Sequence, residues 1–98
     1  MKLQMHSIHF DADEKLLDYI QKRVDKLETF YEKIIDGEVF MKLNNTGTEN
    51  KTVEIKLNLS GTQLFAKEDS STFEKATDMA VEGLRRQLKK HKEKLLGV

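Results

Sequence analysis

The chain has 98 residues, of which 38% are hydrophobic and 35% are charged, so it has room for one small core and one domain. It contains no cysteine, which excludes a disulfide scaffold, a thiolate metal site and a cysteine nucleophile. No apolar run approaches the roughly 18–20 residues that cross a bilayer, and the N-terminus lacks the apolar stretch of a signal peptide. We therefore expect one cytoplasmic domain over residues 1–98, with no membrane partner.

The charge is unevenly distributed along the chain. The formal net charge is zero, from 17 basic and 17 acidic side chains. Residues 1–36 carry −2, residues 37–70 carry −1 and residues 71–98 carry +3. Residues 85–94 alone hold six basic groups and one acid. Because binding responds to the local field, this basic segment is more informative than the overall charge.

The first 37 residues predict a strand followed by a helix. The apolar residues of 3–10 indicate a strand, with a bulge or an end near His6, where the alternation changes phase. Asp11 and Glu14 form a capping box, in which each side chain reaches the backbone N–H of the other. Apolar residues then recur at spacings of three and four as far as Ile34, and Gly37 is placed to end the helix.

The hydrophobic period then changes from 3.6 to two. Residues 39–43 and 53–59 alternate apolar and polar side chains, which predicts two half-buried strands joined by the polar loop 45–50. A turn at Ser60 and Gly61 leads into a third short strand over residues 64–67.

A final helix follows. Ser71 and Glu74 form a second capping box, apolar residues between Phe73 and Leu95 share one helical face, and Gly97 ends the helix. The predicted order is therefore β-α-β-β-β-α. It is an α+β, two-layer domain with both helices on one face of a four-stranded sheet.

The sequence nominates neither a metal site nor a catalytic site. His6 and His9 lie three residues apart on a strand, so their imidazoles point to opposite faces. Residues 11–14 begin like a calcium loop but lack the glycine at its sixth position, and helix capping explains them better. There is no phosphate-binding glycine loop and no nucleophile motif, so we expect no enzyme, no cofactor and no small-molecule substrate.

The basic residues of the last helix form two flanks. Arg86, Lys90 and Lys94 stack at i, i+4 and i+8, and Arg85, Lys89 and Lys92 fill the opposite flank. One or two terminal cations would satisfy the helix dipole, whereas this helix has six in ten residues. In the first helix, Lys22 and Lys26 lie along one line and the acids gather on the other side. This segregation favours a polyanionic partner.

The sequence also constrains the type of polyanion. It has no aromatic ladder, no Gly-x-x-Gly loop and no zinc finger, so base-reading modules are disfavoured. Basic stripes on two helices suit recognition of backbone geometry in folded RNA. Double-stranded-RNA-binding domains work in this way, and their α-β-β-β-α order is contained in this chain after its first strand.

Three stretches are similar to a known family. They are residues 4–10 in the first strand, residues 22–28 in the first helix and, most specifically, residues 84–94 with their Arg-Gln-Leu core followed by Lys and His. Over essentially its whole length the chain resembles the short-form ribosome hibernation-promoting factors and ribosome-associated translation inhibitors.

The resemblance implies a non-catalytic protein that binds rRNA of the small ribosomal subunit. Such proteins occupy the channel for messenger and transfer RNA, inhibit translation and promote ribosome hibernation in stationary phase or starvation. By resemblance, the principal rRNA contacts are Arg23, Lys26, Arg86, Lys90 and Lys94. A supporting electrostatic role falls to the remaining cations of the motifs, which are Lys22, Arg85, Lys89 and Lys92.

Some positions depart from the family pattern. Residues 71–76 replace an acidic-Asp-Met-Tyr stretch, and Gly83 stands where lysine is common, at a cost of about 1 kcal/mol relative to alanine in mid-helix. Long members add a C-terminal dimerisation domain. This chain ends at Val98, so we expect no such domain and a monomer when free.

A second hypothesis is a protein-interaction or homodimerising module. It rests on the polar sheet face with Phe40 and on the free edge of a short strand. The sequence also leaves open whether Tyr19, Phe30 or Phe40 stacks on RNA or packs against the fold.

Overall fold

Four strands and three helices make up the protein in a computed structural model that describes residues 1–44 and 47–97. The predicted loop 45–50 therefore includes two residues, Asn45 and Thr46, that lie outside the described residues. In chain order the elements are β1 (Leu3–Ile8), α1 (Glu14–Asp25), α2 (Leu27–Phe30), β2 (Ile34–Leu43), β3 (Lys51–Leu59), β4 (Thr62–Ser70) and α3 (Phe73–Leu95).

The strands form one mixed sheet in the order β1-β2-β3-β4. β1 and β2 are parallel, because α1 and α2 carry the chain back across one face of the sheet between them, whereas the later strands pair antiparallel. The predicted β-α-β-β-β-α order and two-layer architecture are confirmed.

The core lies between the helices and one sheet face. α1 contributes the fully buried Ile20 and Val24, and α3 contributes Leu84 and Leu88. The strands contribute alternate residues, including Val39, Met41, Val53, Ile55 and Leu57. The intervening strand residues face away from both helices, and we call this second face the open sheet face.

The first helix ends earlier than predicted. α1 is separated from the four-residue α2 by a turn at Lys26, and Tyr31 is extended (φ −147°). Ile34 starts β2 instead of continuing the helix, so the predicted helical spacing up to Ile34 was wrong. Ile34 is buried as the first residue of β2, and it lies three residues after Tyr31, which is also the spacing of buried residues in a helix. The sequence pattern alone therefore does not distinguish the two structures.

Gly37 lies within β2 and does not end the helix. A Cβ atom there would lie 2.7 Å from Leu3 Cδ2 and 3.0 Å from the carbonyl oxygen of Lys56. The glycine is therefore required by the close approach of neighbouring strands. Gly61, by contrast, adopts φ +76° in the predicted turn between β3 and β4.

Both capping boxes were misplaced. Asp13, not Asp11, caps α1 by accepting from Leu16 N at 2.9 Å. Thr72, not Ser71, caps α3 by accepting from Lys75 N at 3.1 Å. Near His6, where the sequence predicted a bulge or an end of the strand, there is no bulge, since β1 pairs with β2 in continuous register and ends at Ile8.

Candidate nucleic-acid interface

A polar contact joins α1 to α3. The carboxylate of Asp78 accepts hydrogen bonds from the Tyr19 hydroxyl at 2.7 Å and from Arg23 Nε at 2.7 Å. The hydrogen bond to Asp78, with partial burial, raises the pKa of the Tyr19 hydroxyl above its ordinary value of 10.0. Because the Nε atom of Arg23 is held by Asp78, the guanidinium is fixed at the boundary between the two helices.

A groove runs from this contact along the boundary between α1–α2 and α3. We call it the interhelical groove and define it by Arg23, Lys26, Phe30, Arg85 and Lys89. Its upper part is a hollow of about 360 Å³ in which Arg23 and Lys26 lie on one wall and Arg85, with Glu82 beside it, lies on the other. The fold therefore brings basic residues from two distant parts of the sequence to one surface.

The lower part of the interhelical groove surrounds an aromatic ring. Phe30 is the last residue of α2, and its ring centroid lies 5.5 Å from Arg85 Cζ and 5.0 Å from Lys92 Nζ. The Lys92 ammonium also donates to the Phe30 carbonyl at 3.3 Å. The structure thus places Arg85, Lys89 and Lys92 on the flank of α3 that faces α2.

The other predicted cations of α3 lie differently. Arg86 lies on the crest of the helix and lines hollows on both sides. Lys90 and Lys94 are exposed and follow the side of Gln87, whose amide donates to the Phe65 carbonyl of β4 at 2.8 Å. The basic surface therefore extends from the interhelical groove over the crest of α3 toward β4.

Lys22 is exposed on the solvent side of α1. It lies one residue before Arg23, about 100° around the helix, and it lines neither hollow of the interhelical groove, so it contributes to the field from beside the groove. All nine predicted cations thus belong to α1, to α3 or to the turn at Lys26.

The acids of α1 occupy the opposite flank. The amino group of Met1 donates to Asp25 Oδ1 at 2.8 Å and also contacts Glu28. Gln21 Nε2 donates to the Met1 carbonyl at 2.9 Å and completes this cluster. Asp25 and Glu28 are thus partly neutralised by the Met1 amino group, which reduces their effect on the positive field of the interhelical groove. Glu28 also lines a hollow beside Phe30 and Lys92, and Asp78 and Glu82 lie on the α3 side of the groove.

The open sheet face carries charges of both signs. The ring nitrogen Nε2 of His6 lies 2.8 Å from Glu38 Oε2, and Lys42 Nζ lies 2.5 Å from Glu54 Oε2. Phe40 stacks on His6 with centroids 4.8 Å apart. Acids also lie on the helical face, where Asp78 contacts Arg23 and Glu82 contacts Arg85. Residues 85–94 add six cations and one acid there, so the helical face suits a polyanion better than the open sheet face does.

The structure does not group the histidines and acids that invited a metal interpretation. His6 lies on the open sheet face, and His9 follows β1 with φ +71°. Within residues 1–44 and 47–97, no three His, Cys, Asp or Glu side chains are grouped so that they could hold a metal ion. No helix in these same ranges is long and apolar enough to span a membrane.

The sequence does not predict the role of Asp78, which holds Arg23 from across the interface between the helices. It names Phe30 as either an RNA contact or a packing residue, without its place beside Lys92. Both contacts join residues more than 50 positions apart, so no local sequence pattern predicts them.

Comparison with known proteins gives concordant results. Residues 3–96 match the model of the family described as Sigma 54 modulation protein / S30EA ribosomal protein. A ribosome hibernation promoting factor from Pseudomonas putida is 30% identical over 94 residues, covering 96% of this chain and 89% of the relative.

Two solved structures share the fold. A ribosomal subunit interface protein from Coxiella burnetii superposes with a TM-score of 0.85 at 23% identity, covering 94% of this chain and 98% of the other. The N-terminal domain of Protein Y from Thermus thermophilus gives a TM-score of 0.80 at 21% identity, covering 93% and 99%.

Proposed function

Since the chain belongs to the Sigma 54 modulation protein / S30EA ribosomal protein family, we propose that it is a ribosome hibernation factor that binds rRNA of the small ribosomal subunit. Bound in the channel for messenger and transfer RNA, it inhibits translation in stationary phase or starvation. The protein acts in the cytoplasm, without catalysis, as a free monomer that docks on the ribosome.

The observation that carries this proposal is the continuous basic surface of the interhelical groove and the crest of α3. Nine cations lie on this surface or beside it, and they are Lys22, Arg23, Lys26, Arg85, Arg86, Lys89, Lys90, Lys92 and Lys94. We propose that five or six of them bind phosphates at once. Such binding releases counterions, so affinity should weaken about a thousandfold between about 0.05 and 0.2 M salt.

The geometry also refines which cations matter most. Arg85 and Lys89 share the interhelical groove with Arg23 and Lys26, whereas Lys90 lies beyond the crest. We therefore give Arg85 and Lys89 a share in phosphate binding comparable to that of Arg86 and Lys90. The resemblance alone ranked them lower.

Co-sedimentation with purified small ribosomal subunits tests the proposal. The test variants are Arg85→Glu with Lys89→Glu, and Arg86→Glu with Lys90→Glu. Each pair removes two charge-assisted hydrogen bonds of about 1.5–3 kcal/mol each, which predicts at least about a hundredfold weaker binding for either variant.

The matched control is Lys67→Glu with Lys75→Glu, which changes the net charge equally on β4 and at the start of α3. Both lysines are exposed. This variant should bind subunits nearly as well as the unmodified chain. Full binding by both test variants, with thermal melting showing that they are folded, would refute the proposal.

The homodimerising alternative receives less support. Phe40 is covered by His6 on one side and has Lys56 Nζ 5.4 Å from its ring centroid. On the edge of β4, the carbonyl of Phe65 already accepts from Gln87. A stable, salt-insensitive dimer in light scattering at micromolar concentration would revive this alternative.

A further inference from the structure

The ring of Phe30 occupies an unusual position among the aromatic side chains. Phe10 and Phe73 stack on each other with centroids 4.6 Å apart, and Tyr31 packs edge-on against His91 at 5.6 Å. Tyr19 is hydrogen-bonded to Asp78. Of the aromatic rings in the described ranges, Phe30 is the one that has two cations near its centroid, on the helical face of the protein.

An open hollow adjoins this ring. It has a volume of about 250 Å³ and is lined by Phe30, Arg85, Arg86 and Lys89. The carboxylates near the ring line the neighbouring hollows instead, Glu82 on the side of Arg23 and Glu28 and Glu32 on the side of Lys92. Phe30 also lines the neighbouring hollow that contains Arg23. The ring thus stands where the two halves of the interhelical groove meet.

The surroundings of the hollow combine two kinds of chemistry. An aromatic face attracts a planar, apolar group, and guanidinium and ammonium groups attract phosphates. A nucleotide presents both at once, as a base and its flanking phosphates. The side chain of Arg85 is 58% exposed, and its one ion pair among the described residues is a long, exposed contact of 3.7 Å from Nη1 to Glu82 Oε1. Exposed pairs of this kind contribute little, so Arg85 can turn outward and admit a planar group over the ring.

We propose that Phe30 stacks on one unpaired base of the bound RNA, held between the ring and the Arg85 guanidinium, while Arg86 and Lys89 bind the phosphates beside that base. This inference rests on the proposed function and adds to it a contact with a base. Stacking is tolerant of base identity because every base has a π face. Phe30 therefore selects an unstacked nucleotide by its conformation more than by its sequence.

Substitution of Phe30 distinguishes stacking from simple positioning of the cations. Phe30→Leu keeps an apolar side chain for packing but removes the aromatic face, and Phe30→Trp keeps the face. Removal of one base–aromatic stack predicts about 5- to 150-fold weaker binding for Phe30→Leu. Phe30→Trp should bind as well as the unmodified chain.

The salt dependence supplies the decisive measurement. Stacking releases no phosphate counterions, so the weakening in Phe30→Leu should be equal at about 0.05 and 0.2 M salt. If Phe30 served only to orient Arg85 and Lys92, Phe30→Leu would lose phosphate contacts as well. Its plot of log affinity against log salt would then be less steep, by about 0.7–0.9 for each phosphate that these cations no longer bind. A less steep salt dependence in Phe30→Leu than in the unmodified chain would therefore overturn the proposal.

The matched control is Phe40→Leu, the same substitution on the open sheet face, which should leave affinity unchanged. Affinities are measured with purified small ribosomal subunits, and thermal melting checks that each variant is folded. Should Phe30→Leu fail to fold, Phe30→Tyr and Phe30→Trp take its place, and weak binding by both would overturn the proposal.

The outcomes separate this proposal from the proposed function. If the unmodified chain binds subunits and Phe30→Leu binds equally well, stacking is refuted and the rRNA-binding function stands. If the unmodified chain does not bind at either salt concentration, the proposed function fails and the stacking contact fails with it.

Discussion

Two glycines in this fold should respond to alanine substitution in opposite directions. Gly83 lies in the middle of α3, where a Cβ atom would meet Ala66 Cβ at 3.9 Å and Arg86 Nη2 at 4.0 Å, which are ordinary van der Waals distances. Since alanine is favoured over glycine in a helix interior by about 1 kcal/mol, Gly83→Ala should raise the free energy of unfolding by about that amount.

Gly37 supplies the matched opposite case. Its Cβ atom would lie 2.7 Å from Leu3 Cδ2 and 3.0 Å from a backbone oxygen, and the backbone of a paired strand cannot move aside cheaply. We expect Gly37→Ala to lower the free energy of unfolding by about 1–3 kcal/mol through overpacking, despite the better strand propensity of alanine.

Thermal unfolding measures both changes. For a domain of this size, 1 kcal/mol corresponds to a shift in Tm of about 4–8 °C. Gly83→Ala should therefore melt several degrees higher, and Gly37→Ala several degrees lower, than the unmodified chain. An unchanged or lower Tm for Gly83→Ala, or a higher Tm for Gly37→Ala, would refute the packing argument.

Two further predictions concern hydrogen bonds. Tyr19→Phe removes the hydroxyl that donates a hydrogen bond to Asp78. In the folded protein the pKa of this hydroxyl is raised above 10.0. The hydrogen bond therefore stabilises the fold below a pH of about 10, and this stabilisation is lost as the pH rises through the folded pKa. In urea unfolding at pH 8, the free energy of unfolding of Tyr19→Phe should be about 1–2 kcal/mol lower than that of the unmodified chain. This difference should become smaller at higher pH. A difference that does not change with pH would contradict a stabilising hydrogen bond from Tyr19 to Asp78. Thr72→Ala should lower the free energy of unfolding by about 1 kcal/mol because it removes the cap of α3, whereas Ser71→Ala should leave it nearly unchanged. Equal effects of the two alanine substitutions on thermal unfolding would argue that the cap is not at Thr72.

The sequence predicted the order of elements well because hydrophobic periodicity is local. Along β3, the apolar positions from Val53 to Leu59 are all buried, as strict alternation demands. In α3, the apolar spacing likewise selected Leu84 and Leu88, which are fully buried. Leu95, at the end of the same predicted face, is 62% exposed, so the two periods assign the buried faces correctly except at the end of α3.

Element boundaries were less predictable. Ile34 fits helical spacing and is buried, yet it belongs to β2, since burial alone does not distinguish the end of a helix from the start of a strand. Asp11 and Asp13, like Ser71 and Thr72, are all capable caps, and the choice depends on where the backbone turns.

The candidate site was predictable as a set of charges but not as an arrangement. Clustering along the sequence identified the cations of α3, because six of them fall within ten residues. The pairing of Arg23 with Asp78 and of Phe30 with Lys92 joins residues 55 and 62 positions apart. Such pairs depend on how α1 and α2 pack against α3, which no local pattern encodes.

The separation of acids from cations around α1 has a consequence for how the protein reaches its partner. With no net charge, the chain is only weakly attracted to nucleic acid at distances beyond the Debye length of about 8 Å. At shorter distances, a proposed RNA partner would repel the cluster of Asp25 and Glu28 and attract the interhelical groove, which would orient the protein before contact. For the proposed RNA partner, the same layout predicts weak binding to extended RNA and strong binding only to a surface that contacts the helical face over most of its area.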